Sequence, residues 1–182
     1  MSVAIKAAMA SMVLLAVSAS GVQAATSGKI EFNGEIMESA CAIKPGSEDQ
    51  IITLPHVAKS QLVNEGVSPT TTFRIELVGC DLGALQDKTV ETTFVGPEAG
   101  DVPGTLGTGG SAKGVGIGLV DGTGSAVVLG SPTKPQKFQA GDNTLMFGAY
   151  LKGRASATPP TPATSVIPGD YTAVASFSLN YK

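Results

Sequence analysis

Cys41, Cys80 and His56 carry the most reactive side chains in the sequence. A hydrolytic triad needs a histidine in register with an acid and a nucleophile. His56 is the single histidine and stands beside Pro55, so it is expected at a strand end or on the surface. A metal centre needs more ligands than one histidine and two cysteines supply. Gly114-Val-Gly116-Ile-Gly118 has the glycine density of a phosphate loop. It lacks the Gly-Lys-Ser/Thr that completes such a loop, and no helical pattern follows it. Val115, Ile117 and Leu119 alternate through it instead, which predicts a strand with a glycine face. Asp121-Gly-Thr-Gly124 is half of an aspartic-protease pair without its second half, and predicts a hairpin turn. Tyr150, Tyr171 and Tyr181 would suit a sugar platform, but alternation assigns Tyr171 and Tyr181 to a core or groove first. These residues point to no enzyme, no cofactor and no metal.

The remaining chemistry is thiol oxidation, and the front of the chain sets its compartment. Lys6 gives a basic start, residues 7–16 are small and apolar, and Val22-Gln23-Ala24 offers small residues for cleavage. This is a secretory signal peptide over residues 1–24. Ser11, Ser18 and Ser20 break the apolar stretch, which is short for a membrane anchor. No later run predicts membrane insertion. In an oxidising compartment, Cys41 and Cys80 are expected to form a disulfide. Closing a loop of about 40 residues contributes roughly 4 kcal/mol in the chain-entropy model.

The elements that position these residues are strands. Cleavage leaves 158 of 182 residues, enough for one domain with a real core. The balance is then 11 basic against 15 acidic residues, with no basic cluster, which argues against nucleic acid. Glycine is abundant, tryptophan is absent, and Val, Ile, Thr and Phe recur in short runs. Strands are expected at 51–54, 71–78, 90–95, 115–119, 126–129, around Phe138, and at 145–151. A turn is expected at Pro45-Gly46-Ser47, and a helical turn within 57–66 closed by Gly66. Residues 96–114 read as a Gly-rich loop and 155–168, with four prolines, as an extended one. Some eight short strands with one disulfide predict a β-sandwich.

The two ends of the mature chain share one pattern. Residues 171, 173, 175, 177, 179 and 181 are apolar or aromatic, with mostly polar residues between. Ile30-Glu31-Phe32-Asn33-Gly34-Glu35-Ile36 alternates in the same way and runs on to Cys41-Ala-Ile43. An uncovered aromatic edge strand invites aggregation unless something covers it. A spare alternating segment at the other end suggests that one copy of the chain completes the next.

Several stretches in order resemble the major subunits of chaperone–usher fimbriae, the type 1 pilin family. They are Gly28 to Ile36, Ser39-Ala40-Cys41-Ala42-Ile43, Phe73 to Asp81, Gly114 to Asp121, and a Gly169 and Tyr181 placed as in that family. The likeness spans the mature chain, and the Pro-rich loop at 155–168 departs from it. The resemblance implies an all-β, incomplete immunoglobulin-like sandwich lacking its last strand. A donor strand from a neighbouring subunit or from a periplasmic chaperone would complete it. Residues 25–38 would form the N-terminal donor extension and 39–182 the pilin domain. Ile30, Phe32, Gly34 and Ile36 would enter the neighbour's groove. Gly169, Tyr171, Phe177, Leu179, Tyr181 and Lys182 would form the strand held by the chaperone.

The implied function is a structural subunit that polymerises head to tail into a surface fimbria used in adhesion and biofilm formation. Its partners would be copies of itself, the chaperone and an outer-membrane usher. It would pass through the periplasm to the cell surface. The alternatives are a minor adaptor subunit of the same fimbria and a monomeric, self-complemented secreted binding module. A two-domain tip adhesin is excluded by length and by the donor-like segment.

Overall fold

The computed structural model describes residues 28–34, 36, 39–83, 85, 87–156 and 166–182. The expected signal peptide, Glu35 and most of the Pro-rich loop lie outside the described residues. The chain divides into residues 1–36 and 37–182. In the first unit the described residues 28–34 and 36 form no strand.

The second unit is built of antiparallel strands. They are β1 (Ala42–Ile43), β2 (Thr71–Cys80), β3 (Thr89–Val95), β4 (Leu106–Gly107), β5 (Gly109–Gly110), β6 (Val115–Asp121), β7 (Gln136–Lys137), β8 (Gly141–Gly153), β9 (Tyr171–Thr172) and β10 (Ser176–Tyr181). One 3-10 turn, Lys59–Gln61, falls inside the expected helical region. A five-stranded sheet runs β1-β2-β8-β6-β4, a three-stranded sheet runs β10-β3-β7, and β5 pairs with β9. No helix of the described residues is long and apolar enough to cross a membrane.

The sequence pattern explains the layers. In β2, Ile75 and Leu77 are buried while Thr72 and Arg74 are exposed, because period 2 puts alternate side chains on opposite faces. In β8, Leu145, Phe147, Ala149 and Leu151 repeat that parity. The two faces meet in an aromatic cluster. Phe73 and Phe147, paired across β2 and β8, stack at 5.7 Å. Phe94 of β3 meets Phe147 edge-on at 5.0 Å, and Phe177 of β10 stands 6.2 Å from Phe94. Truncating a ring so buried costs about 3–5 kcal/mol.

The glycine face of β6 has a direct cause. Gly118 lies opposite Tyr150 of β8, whose ring crosses over it so closely that a Cβ would collide with the ring. The aromatic covers backbone that a side chain would otherwise cover. Asp121 closes the strand and organises the turn after it. Its carboxylate accepts hydrogen bonds from Thr123 N (2.9 Å), Thr123 Oγ1 (2.6 Å) and Ser125 N (3.0 Å). Burial opposes its charge, but these bonds and the nearby Lys134 outweigh it, so its pKa is lowered. The aspartate thus has a structural task in a turn, as expected.

Four sequence expectations are corrected. Residues 51–54 form no strand, and no described backbone pairs with them in a ladder. Residues 126–129 return beside β6 through a single bridge, Val120 to Ala126, and not as a hairpin strand. The region 96–114 is not all loop, since it holds β4 and β5. The final strand is interrupted, because residues 173–175 leave the ladder between β9 and β10.

Candidate functional site: an open apolar groove in the sandwich

A groove of ≈790 Å³ opens into the core of the second unit. Its floor includes Phe73, Phe94, Ile117, Leu119 and Leu151, which are core residues of both sheets. One rim is the segment around residues 50–57, and the other is residues 166–177. Neither rim is closed by a strand. Among the described residues β10 pairs only with β3, so its other edge is open, and residues 51–54 have no ladder partner. The apolar trough therefore lies between a segment with no ladder partner and a segment whose strands are each paired along one edge only, which is the chemistry of a place for a further strand. It offers main-chain hydrogen bonds along its sides and burial at its base.

The far rim is built in detail. Gly169 approaches residues 111–112 so closely that a Cβ would stand 2.7 Å from Ala112 N and against Ser111 Oγ. Asp170 N donates to Ser111 Oγ at 3.0 Å, and Ala112 N donates to the Asp170 carbonyl at 3.0 Å. Lys113 and Ile167 exchange backbone hydrogen bonds at 3.1 and 3.0 Å. These contacts anchor the chain before it enters β9. Beyond the break, Phe177, Leu179 and Tyr181 are half-buried on the inner face of β10. Tyr181 packs on Phe138 with ring centres 5.5 Å apart. Burial raises the pKa of the Tyr181 phenol, partly offset by a hydrogen bond with Ser39, and burial alone raises that of Tyr171. Lys182 binds the outer face, where Nζ lies 2.8 Å from both carboxylate oxygens of Glu91.

Cys41 and Cys80 are joined in a disulfide, which ties the end of β2 to the residue before β1. Asp81 N also donates to the Ala40 carbonyl at 2.8 Å, beside the bridge. Described by itself, the first unit exposes its apolar side chains: Ile30 is 77% exposed, Phe32 88% and Ile36 102%. A Cβ on Gly34 would meet nothing within 4 Å. His56 is exposed on the near rim of the groove.

Sequence reasoning missed the near rim, the groove floor and Glu91. The floor residues look like ordinary core in sequence, and nothing in their types shows that a strand is lacking above them. Glu91 has the polar parity of its strand, so its burial was not visible.

The architecture is an incomplete immunoglobulin-like sandwich, with an open groove where a last strand would lie. The comparisons give the same class and then the family. The family model described as Fimbrial protein matches residues 30–182, and the chain belongs to that family. It is 42% identical to the Fimbria A protein of Serratia marcescens over 156 residues, covering 85% of this chain and 84% of that one. It is 34% identical to the Pap fimbrial major pilin protein of Escherichia coli over 191 residues, covering 98% and 100%. Among solved structures, the P pilus rod subunit PapA superposes with a TM-score of 0.66 at 31% identity, covering 79% of this chain and all of that one. A chaperone–usher pilus studied for rod uncoiling gives 0.71 at 32% identity, covering 86% and 96%. The chain is a structural pilin, exported to the cell surface as part of a fimbria.

Proposed function

We propose that the chain polymerises head to tail by donor-strand exchange. Residues 30–36 of one copy fill the groove of the next. The observation that carries this reading is the open groove, with an unpaired segment on one rim and the open edge of β10 on the other. The exposed alternating side chains of Ile30, Phe32 and Ile36 are a matching insert. Each fully buried apolar side chain stabilises by roughly 1.5–3 kcal/mol, and main-chain bonds along the rims add to that. Gly34 shares the parity of Phe32, so it faces the groove floor, whereas Asn33 faces out. Donor and acceptor are different patches, and such contacts propagate into open filaments.

Before assembly the groove needs a substitute strand. A periplasmic chaperone fits that need, with β10 as its pairing edge and Gly169, Tyr171, Phe177, Leu179, Tyr181 and Lys182 along the captured segment. An outer-membrane usher would then exchange chaperone for subunit. The assembled fimbria would serve adhesion and biofilm formation.

The test is fibre assembly from purified chaperone-bound subunits carrying Phe32→Asp, Gly34→Val or Asn33→Asp. Phe32→Asp would bury an unpaired carboxylate, costing several kcal/mol. Gly34→Val would overpack the floor by about 1–3 kcal/mol. Both should stop or slow assembly while Asn33→Asp proceeds. Equal rates for all three would remove residues 30–36 from the role.

A further inference from the structure

The pattern of β10 leaves one ambiguity. Tyr171, Ala173, Ala175, Phe177, Leu179 and Tyr181 all share one parity. A slip by one residue would turn them outward and is strongly disfavoured. A slip by two keeps every one of them facing inward, so hydrophobic alternation barely opposes it. Yet it would move each groove-facing side chain by about 7 Å along the sheet. β10 is also held on one edge only, and residues 173–175 before it are outside any ladder.

We infer that the ion pair between Lys182 and Glu91 fixes the register of β10, and with it the shape of the groove. Asn180 lies opposite Glu91, and Lys182 exchanges backbone hydrogen bonds with Thr89 at 2.9 and 3.1 Å. Lys182 therefore reaches Glu91 diagonally across the strand pair, a separation that long side chains span. The Glu91 side chain is only 10% exposed, and Lys182 Nζ sits 2.8 Å from each of its oxygens. If β10 slipped two residues toward Asp87, Lys182 would leave Glu91. The Glu91 carboxylate would then lose this half-exposed partner, which disfavours that register by the modest amount of a cross-strand charge pair. In the opposite slip Thr89 would lose both of its backbone bonds to Lys182. The pair adds a charge-based distinction between registers that the apolar residues cannot make. A polar residue fixing register in this way is a recognised use of buried ionic groups. Lys182 and Glu91 are positioning residues: they touch the outer face of the sheet and act on the groove through the strand.

The link to assembly rests on the donor-strand reading above, but the register itself is measured without it. Two cysteine pairs report on the exported subunit purified from the periplasm. Ser178→Cys with Thr93→Cys traps the observed register, since these residues are direct partners. Ser176→Cys with Thr93→Cys traps the slip toward Asp87. Tryptic mass spectrometry reads each cross-link beside the Cys41–Cys80 bridge. With Lys182 present, the first pair should dominate. Lys182→Met keeps the apolar stem and removes the charge, and it should raise the second cross-link by about fivefold. Glu91→Gln should do the same, and combining the two should add little. The same variants should take up a peptide of residues 28–38 several-fold more slowly. An unchanged cross-link distribution in Lys182→Met overturns the inference whatever assembly does. A raised slip with normal peptide uptake overturns the link to the groove. Failure of the donor reading would appear separately, as a Phe32→Asp subunit that still polymerises.

Discussion

Residues 30–36 and residues 171–181 have the same period-2 pattern, and the structure treats them differently. The described residues of the first segment form no strand, and Ile30, Phe32 and Ile36 are exposed. The second is paired along one edge and half-buries Phe177, Leu179 and Tyr181 against the aromatic cluster. Alternation therefore specifies a face, not a partner. A strand that pairs within its own chain gains the ladder and the core together. A strand without a partner keeps only the pattern, and its apolar face is surplus until another chain supplies the sheet.

The sharpest way to break this comparison is to put the same charge into each segment. Phe177→Asp places a carboxylate beside Phe94, inside the fold. It should cost several kcal/mol and remove folded subunit altogether. Phe32→Asp places it where the side chain is exposed, so the isolated subunit should fold normally and fail only in assembly. Periplasmic yield and fibre formation, measured for both, separate the two cases. If Phe32→Asp lowers yield as much as Phe177→Asp, the first segment is a folding element and the contrast collapses.

The disulfide tests the boundary between the segments. Cys41 follows the first segment in sequence and is bonded to the end of β2. Cys41→Ser or Cys80→Ser should lower stability by roughly 4 kcal/mol, the loop-closure term for about 40 residues. Denaturant unfolding of a donor-complemented subunit measures it.

Glycines sharpen the comparison further. Gly34→Ala meets open space in the subunit, and its folding should be unchanged. Gly169→Ala would drive a Cβ to 2.7 Å from Ala112 N and against Ser111. Overpacking of this kind costs about 1–3 kcal/mol, and Ser111 to Lys113 should lose protection in hydrogen exchange. Unchanged exchange there would mean that the rim yields freely. Loss of protection there would show that Gly169 packs the groove rim against Ser111 and Ala112.

Much of this fold was legible from residues, and the losses have physical reasons. β2, β3, β6 and β8 combine alternation with β-branched and aromatic residues, and all four stand where expected. The cysteine pair was legible because export leaves thiols oxidised. Residues 51–54 have strand composition but no described neighbour to pair with, so the propensity had nothing to act on. β4 and β5 are two residues each in a Gly-rich stretch, too short to carry a period. From residue patterns the groove was legible as a surplus, two alternating segments at the ends without a partner strand, and the family resemblance turned that surplus into an expected gap. Its rims and floor depend on which core residues lie under the gap, and that is a property of the tertiary arrangement.

The smallest effect comes from titration of the second segment. Burial raises the Tyr181 phenol, and Tyr171 is raised for the same reason. A raised tyrosine pKa means that the folded state holds its proton longer than the unfolded chain. The sign follows from linkage: above the unfolded value, near about 10, the unfolded state binds fewer protons, so stability falls as pH rises. The stabilisation is complete below that value and is lost through the window up to the folded pKa. Residues 30–36 contain no tyrosine, so they do not contribute to this loss. Lysines titrate in the same range and would blur a single curve, so the measurement is a difference. Thermal unfolding of the donor-complemented subunit between pH 9 and about 11 should show a shallower alkaline decline for Tyr181→Phe than for the parent. Below about pH 9 the variant should be slightly less stable, because it lacks the hydroxyl that meets Ser39. Parallel curves for parent and variant would mean that the phenol is solvated, and that β10 lies less deeply against Phe138 than its geometry shows.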